Sequence, residues 1–393
     1  MPQARNRDID GDSHRPTSRR RRQNERRRRR RRRLIPLVSA VALILLLAVI
    51  VSASLAGGSP AEADGRTEVS VLAGGAQDGG SSDYLADEAS NTVVVERARE
   101  LGANEMGKVL VLMYHLIEYT DSEYSRTPED FRQDIADLKA AGYYPVTVRD
   151  YAAGKVDVPA GKSPVVITFD DSSGGQYRIL EDGTVDPKCA VGIMQQAVED
   201  GDWASRASFF VLLDVDYADR VLFGQPEYAQ QKLQQLVEWG YEVGSHTVSH
   251  LNLKKASAAL VQEQLYESQR TIEELIGDGY DLVSLAPPFG EYPTQQSLLK
   301  SGEYDGQAYT YEDALNASGG PYFSPFSDKF RAYHITRLEV DGTRLEDALA
   351  DFEQSPGLRY ISDGDPTTVA IPHDLDGSLG SIRDDLDLEL IQY

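Results

Sequence analysis

The sequence predicts an α/β domain on a parallel sheet, carried behind a single membrane-spanning helix. Three observations predict it. Short β-branched apolar runs alternate with stretches of helical periodicity from residue 109 to about residue 285. One run, Val165-Val166-Ile167-Thr168-Phe169, ends in the adjacent acids Asp170 and Asp171, as a buried strand does when it delivers side chains from its C-terminal tip. An uncharged segment, Leu34 to Leu55, follows directly on the unbroken arginine run Arg26 to Arg33.

The charge is unevenly placed. Residues 1–33 hold 15 Arg against 4 acidic residues, a net of +11, which leaves −34 for the rest of a chain whose total is −23. Leu34 to Leu55 is long enough to cross a hydrocarbon core of about 30 Å as a helix. The arginine block before it should stay cytoplasmic, which puts the remainder outside. This favours a topological role for the basic run over nucleic-acid binding. A cleaved signal peptide is the rival reading, since small residues follow around Ser52 to Ala56, but the apolar stretch exceeds a usual signal core. Residues 56–107, rich in Gly, Ala, Ser and Asp, read as a flexible linker, with a short helix near Asn91 to Leu101 before a catalytic domain over 108–393. The one cysteine, Cys189, excludes a disulfide within the chain and has no histidine near it in sequence to make it a nucleophile.

The folded part opens with a strand, Val109 to Tyr114. Thr127-Pro128-Glu129-Asp130 is an N-cap with proline in the first turn, starting a helix that puts Phe131, Ile135 and Leu138 on one face and stops before Gly142. Tyr144 to Val148 and Pro164 to Phe169 are the next strands. A strand at Ala207 to Leu213, a helix at Pro226 to Trp239, a strand at Tyr241 to Ser245, a helix at Ser257 to Ile276 and a strand at Leu282 to Leu285 follow. Ser172 to Ser205 is too long for a simple connection and reads as a surface excursion. Glu303 to Phe330 carries Tyr304, Tyr309, Tyr311, Tyr322, Phe323 and Phe326, which suit either stacking on sugar faces or packing under a long loop.

The chemistry lies at two strand ends. An Asp-Asp pair alone serves equally well as a cap or turn former. His246 and His250, four residues apart, can share one face of a helical turn, so that one carboxylate and both imidazoles close on a single metal ion. Four of the six histidines, His115, His246, His250 and His373, stand in motif-like contexts, more than scattered structural use accounts for.

Together, Thr168-Phe169-Asp170-Asp171 and His246-Thr247-Val248-Ser249-His250 resemble the motifs of the polysaccharide deacetylases with a NodB-homology domain, carbohydrate esterase family 4. Supporting matches are Ala207-Ser208-Phe209-Phe210-Val211, Gly240 to Ser245, and Pro287-Pro288-Phe289-Gly290, and the resemblance runs from about Val109 to about Val340. The opening Val111-Leu112-Met113-Tyr114-His115 is most similar to the branch that deacetylates poly-N-acetylglucosamine. The resemblance implies an irregular (β/α) barrel of about seven strands. It also implies that Asp170 is the general base, that Asp171, His246 and His250 hold a divalent metal, and that a backbone N–H near Phe289 helps to hold an oxyanion. Such ligands suit Zn²⁺, and also Co²⁺, Ni²⁺ or Fe²⁺. His115 takes the place of that branch's catalytic acid, while His373, followed by Asp374, is similar to the late histidine motif of other branches.

Two positions depart from the pattern. Ala286 stands where many members have an arginine that steadies the base, and Ser172 stands where a glycine is common. The expectation is a membrane-anchored metal-dependent hydrolase that takes N-acetyl groups off an extracellular or cell-wall polysaccharide containing N-acetylglucosamine. The alternatives are a catalytically weak glycan-binding protein on the same fold and a metal-dependent O-acetyl esterase.

Overall fold

The structure, a computed structural model, describes residues 92–393 apart from Asp121, Glu123 and Asp278. The basic tail, the apolar segment over 34–55 and most of the expected linker lie outside the described residues. Among the described residues no helix is long and apolar enough to cross a membrane.

Eight parallel strands form the central sheet. They are β1 (Leu110–Tyr114), β2 (Tyr143–Val146), β3 (Ser163–Phe169), β4 (Ser208–Val211), β5 (Glu242–Ser245), β6 (Ser284–Leu285), β7 (Asp313–Ala314) and β8 (Leu338–Glu339). Their order is β7-β6-β5-β4-β3-β1-β8, with β2 pairing along the first half of β3. A parallel bridge from Leu315 to Ile335 joins the chain just past β7 to the chain just before β8. The sheet is therefore curled until its two ends meet. The last strands, β7 and β8, lie in stretches whose sequence carries no long apolar run. Residues Ala332–His334 form a single 3₁₀ turn before β8.

Side-chain alternation along the strands decides what faces each layer. Leu110, Leu112 and Tyr114 of β1, with Val165, Ile167 and Phe169 of β3, join one core cluster, whereas Val111 and Val166 join another. The same parity puts Thr168 and Asp170 on the side of Val166. The rings of Phe169 and Phe209 stack with centroids 4.7 Å apart beneath the rim. Inside the curl, a Cβ at Gly244 would stand 2.6 Å from the ring of Phe210, so β5 tolerates no side chain there.

Helices cover the sheet: α1 over residues 92–101, α2 (Pro128–Ala140), α3 (Val148–Ala152), α4 (Ala190–Glu199), α5 (Ala229–Glu238), α6 (Ala258–Ile276) and α7 (Arg344–Gln354). Thr127 caps α2 by accepting from the Asp130 N–H, and Ser257 caps α6 by accepting from Leu260. Two expectations are corrected and one open choice is resolved. Residues 92–107 are not part of a flexible linker: Ala98 and Ala103 pack against Ala370 and Ile391, and Met106 is fully buried. Ser172 to Ser205 is no surface excursion, because Tyr177, Ile179, Val191, Ile193 and Met194 are buried in the main core and Cys189 caps α4. In the 303–330 stretch Tyr309, Tyr311, Tyr322 and Phe326 are buried, so packing accounts for those rings.

At the N-terminal ends of β4 to β7 lies a polar plug. The Ser284 hydroxyl sits between Glu242 and Asp313, while Glu242 also accepts from Ser208 and from the Arg149 N–H. One hydroxyl hydrogen cannot serve two carboxylates, so one of the acids carries a proton. Burial, then the charge of Glu242, push the Asp313 carboxyl well above its usual range, against the hydrogen bond from Ser284. An unfolded Asp releases its proton near pH 4, so across the interval up to the folded value the folded state binds more protons and stability falls as pH rises. Asp313→Asn, permanently neutral and of the same shape, is expected to raise Tm over the parent at pH 8–9, with the gain shrinking toward pH 4. Thermal unfolding across that range measures it, at roughly 2–4 °C per kcal/mol.

Candidate active site

The backbone N–H of Asp170 still donates to Tyr114 O, 2.9 Å, so this carboxylate is fixed by the β1–β3 ladder. The chain then turns sharply, with Asp171 at φ 71° and Ser172 at φ 41°. The histidine pair follows β5. His246 donates through Nδ1–H to Ala286 O at 2.6 Å, since a carbonyl oxygen can only accept. Its Nε2 lone pair is thereby left for the cleft. Thr247 and His250 have positive φ, so the pair converges through an irregular turn and not, as expected, on one face of a helical turn. Of nine non-glycine residues with positive φ among the described residues, five are Asp171, Ser172, Thr247, His250 and Phe289. Each costs on the order of 1–3 kcal/mol, and such strain gathers where geometry serves a function.

These turns bring Asp171 Oδ1 to 3.5 Å from His246 Nε2 and 3.4 Å from His250 Nε2. That oxygen is buried without a hydrogen-bond partner, a costly arrangement unless something else meets it. One ligand atom from each of Asp171, His246 and His250 lies within 4.8 Å of the others. Burial pushes Asp171 upward, but the facing His246, His115 and His250 outweigh it and hold its carboxyl well below the usual range. Burial and then His246 bring His250 down to about 4, leaving a neutral imidazole. The donor set of one carboxylate and two imidazoles fits a divalent cation.

Asp170 is held differently. Arg337, wholly buried just before β8, donates to both of its oxygens at 2.7 Å, to Thr168 Oγ1 at 3.1 Å, and through Nε to Asn316 O at 2.8 Å. Burial raises the Asp170 carboxyl, and Arg337, His246 and His115 more than reverse this, so it stays ionised. Ala286 leaves the usual arginine position empty, and an arginine from a different strand does the work. One weak signal for it is a cation standing between the apolar Ile335 and Leu338.

His115 follows β1 and lines the same cleft of about 470 Å³, together with Asp170, Asp171, His246, His250 and Phe289. Its ring meets Tyr124 edge-on at 5.2 Å, and Gln176 Nε2 donates to the carbonyls of both His115 and Asp170. Burial lowers its pKa against the opposing charges of Asp170 and Asp171. His373, the other candidate, is exposed with Asp374 past a separate strand pair and does not line the cleft. Phe289 packs its ring on His250 at 4.5 Å. Among the described residues the exposed aromatic rings are Tyr119, Tyr124, Tyr217 and Phe289, none of them from the 303–330 stretch.

The polysaccharide deacetylase family model matches residues 157–305, which hold Asp170, Asp171, His246 and His250. The chain therefore carries the sequence pattern of that family across β3 to β6. Among solved structures it is similar to a polysaccharide deacetylase from Bacillus cereus, at 20% identity, covering 63% of this chain and 69% of that one, with TM-score 0.47. The deacetylase PplD of Streptococcus pyogenes, in complex with acetate, is 20% identical over 62% of this chain and 98% of that one, with TM-score 0.45. IcaB from Ammonifex degensii is 19% identical over 62% and 96%, with TM-score 0.43. No curated protein matches the chain.

Removing one member of a buried ion pair leaves the other charge stranded, at about 3–5 kcal/mol. Arg337→Met is expected to lower urea-unfolding stability by that amount, and adding Asp170→Asn should return much of the loss. Additive losses in the double variant would contradict the pairing.

Proposed function

We propose that this protein is a metal-dependent hydrolase that removes N-acetyl groups from an extracellular or cell-wall polysaccharide containing N-acetylglucosamine, anchored by a membrane helix over residues 34–55. The carrying observation is Asp171 Oδ1, buried and unpartnered between two imidazole nitrogens, beside an aspartate kept ionised by an arginine. Asp171, His246 and His250 would hold the metal, with Zn²⁺ the leading candidate and Co²⁺, Ni²⁺ or Fe²⁺ as alternatives. When bound, it would polarise the acetamide carbonyl and make water a better nucleophile.

The remaining tasks fall to the chain. Asp170, ionised and held by Arg337 on both oxygens, keeps lone pairs free to take a proton from the attacking water. The carbonyl carbon gains the hydroxyl, and the C–N bond then breaks. The departing nitrogen needs a proton, and His115 lines the cleft where it can supply one. The products are acetate and a sugar with a free amine. Met113, buried, and Leu116, half-buried, add apolar surface to the cleft wall beside these groups.

Acetate release from N-acetylglucosamine oligomers tests the reading directly. The metal-loaded protein should release acetate, and the chelated protein and Asp170→Asn should lose about 10²–10⁴-fold or more. Folded, metal-bound protein that releases acetate only from O-acetyl esters would replace this reading with an esterase.

A general acid must be protonated, so activity that depends on His115 should fall as pH rises through that group's pKa. His115→Gln is expected to reduce kcat about 10²–10⁴-fold and to remove the alkaline limb of the pH–rate profile. His373→Gln should leave both unchanged.

A further inference from the structure

Asp171 has two carboxylate oxygens, and only Oδ1 faces the histidines. Its Oδ2 accepts from Arg220 Nη1 at 2.9 Å. Arg220 ends the 3₁₀ turn Ala218–Arg220 and is 31% exposed at its side chain, whereas Asp171 is 8% exposed. The guanidinium lies over the ring of Tyr217, 5.5 Å from its centroid, which restricts its orientation. It lines the main cleft and also an adjoining cavity of about 380 Å³ that includes Asp214, Tyr217 and His250.

Ser172 holds this arginine in place. Its hydroxyl donates to Arg220 O at 2.7 Å and accepts from the Leu212 N–H, while its carbonyl accepts from Phe223 N–H. A glycine here would keep the positive-φ turn and lose the hydroxyl tether. The departure at Ser172 and the arginine on Asp171 are thus one arrangement.

We propose that Arg220, seated by Ser172, is a positioning residue that clamps Asp171 through Oδ2, so that the carboxylate offers a single oxygen to a cation between His246 and His250. This rests on the metal site of the proposed function. The clamp and a cation use different oxygens, so they coexist. Without the clamp, Asp171 is free to rotate or to offer both oxygens, and the cation's coordination changes.

Co²⁺ and Zn²⁺ titrated into the full chain against a chromophoric chelator test this, with visible absorption of the Co²⁺-loaded protein as a second readout. Arg220→Met should weaken cation binding about 10–100-fold, as loss of a group orienting a ligand does, and should alter the Co²⁺ spectrum. Arg220→Lys should recover part of the affinity. Ser172→Gly should weaken binding by a smaller factor in the parent and add nothing in the Arg220→Met background. Circular dichroism and Tm identify any variant that fails to fold; Arg220→Lys, which keeps the charge, then carries the comparison. Equal affinity and spectra in parent and Arg220→Met, or additive effects of the two substitutions, would overturn the clamp and leave the hydrolase reading standing. A parent that binds neither cation would overturn both.

Discussion

The pairing of Arg337 with Asp170 is the constraint on which the site depends. A carboxylate at the tip of β3, closed in by aromatic side chains and the histidines, would by burial alone rise toward neutrality. The guanidinium keeps it charged and fixes its plane through two bonds, with its own Nε tied to Asn316 O. β8 lies beside β1, and β1 beside β3, so the arginine reaches Asp170 across one strand's width, while its Nε bond to Asn316 O ties the chain past β7 to the chain before β8. Net stability from such a pair is modest, since desolvation offsets much of the attraction. Its contribution is to orientation.

Beside it, Asp171 is supported by different physics. Its Oδ1 is left without a hydrogen bond while Oδ2 is saturated by Arg220. Two neighbouring acids of identical composition thus acquire different characters from their surroundings. The difference comes from chain direction: Asp170 continues the strand and faces inward with Thr168, whereas Asp171 begins a left-handed turn. The polar plug at the opposite end of the strands shows the reverse balance, where burial and the charge of Glu242 outweigh Arg149 and raise the Asp313 carboxyl.

Much of this was legible in the sequence, for reasons that can be named. β1 and β3 are continuous apolar runs, and Thr127-Pro128 states the start of α2 in a local code. Asp170, Asp171, His115, His246 and His250 announce themselves as polar residues at the ends of apolar strands, and all five line one cleft. What was illegible depended on closure or on unusual backbone. Arg337 looks like a surface cation until β8 is set beside β1. The spacing of His246 and His250 suggested a helix, but positive φ at Thr247 and His250 does the converging. Residues 172–205 looked like a loop because their glycines and acids mask Tyr177, Ile193 and Met194, which are apolar at no single period.

The separation of Asp170 from Arg337 by 167 residues has a consequence for the order in which the molecule matures. A chain synthesised from its N-terminus has made the acid pair and all three cleft histidines well before its stabilising arginine exists. Until β8 is added, Asp170 is an unsatisfied anion at the mouth of an open sheet, free to compete for the same cation as Asp171. A chain ending between residues 250 and 337 holds all the proposed ligands but lacks the guanidinium that pairs with Asp170. The last strand of the central sheet thus completes the charge balance of a site whose other members come earlier in the chain.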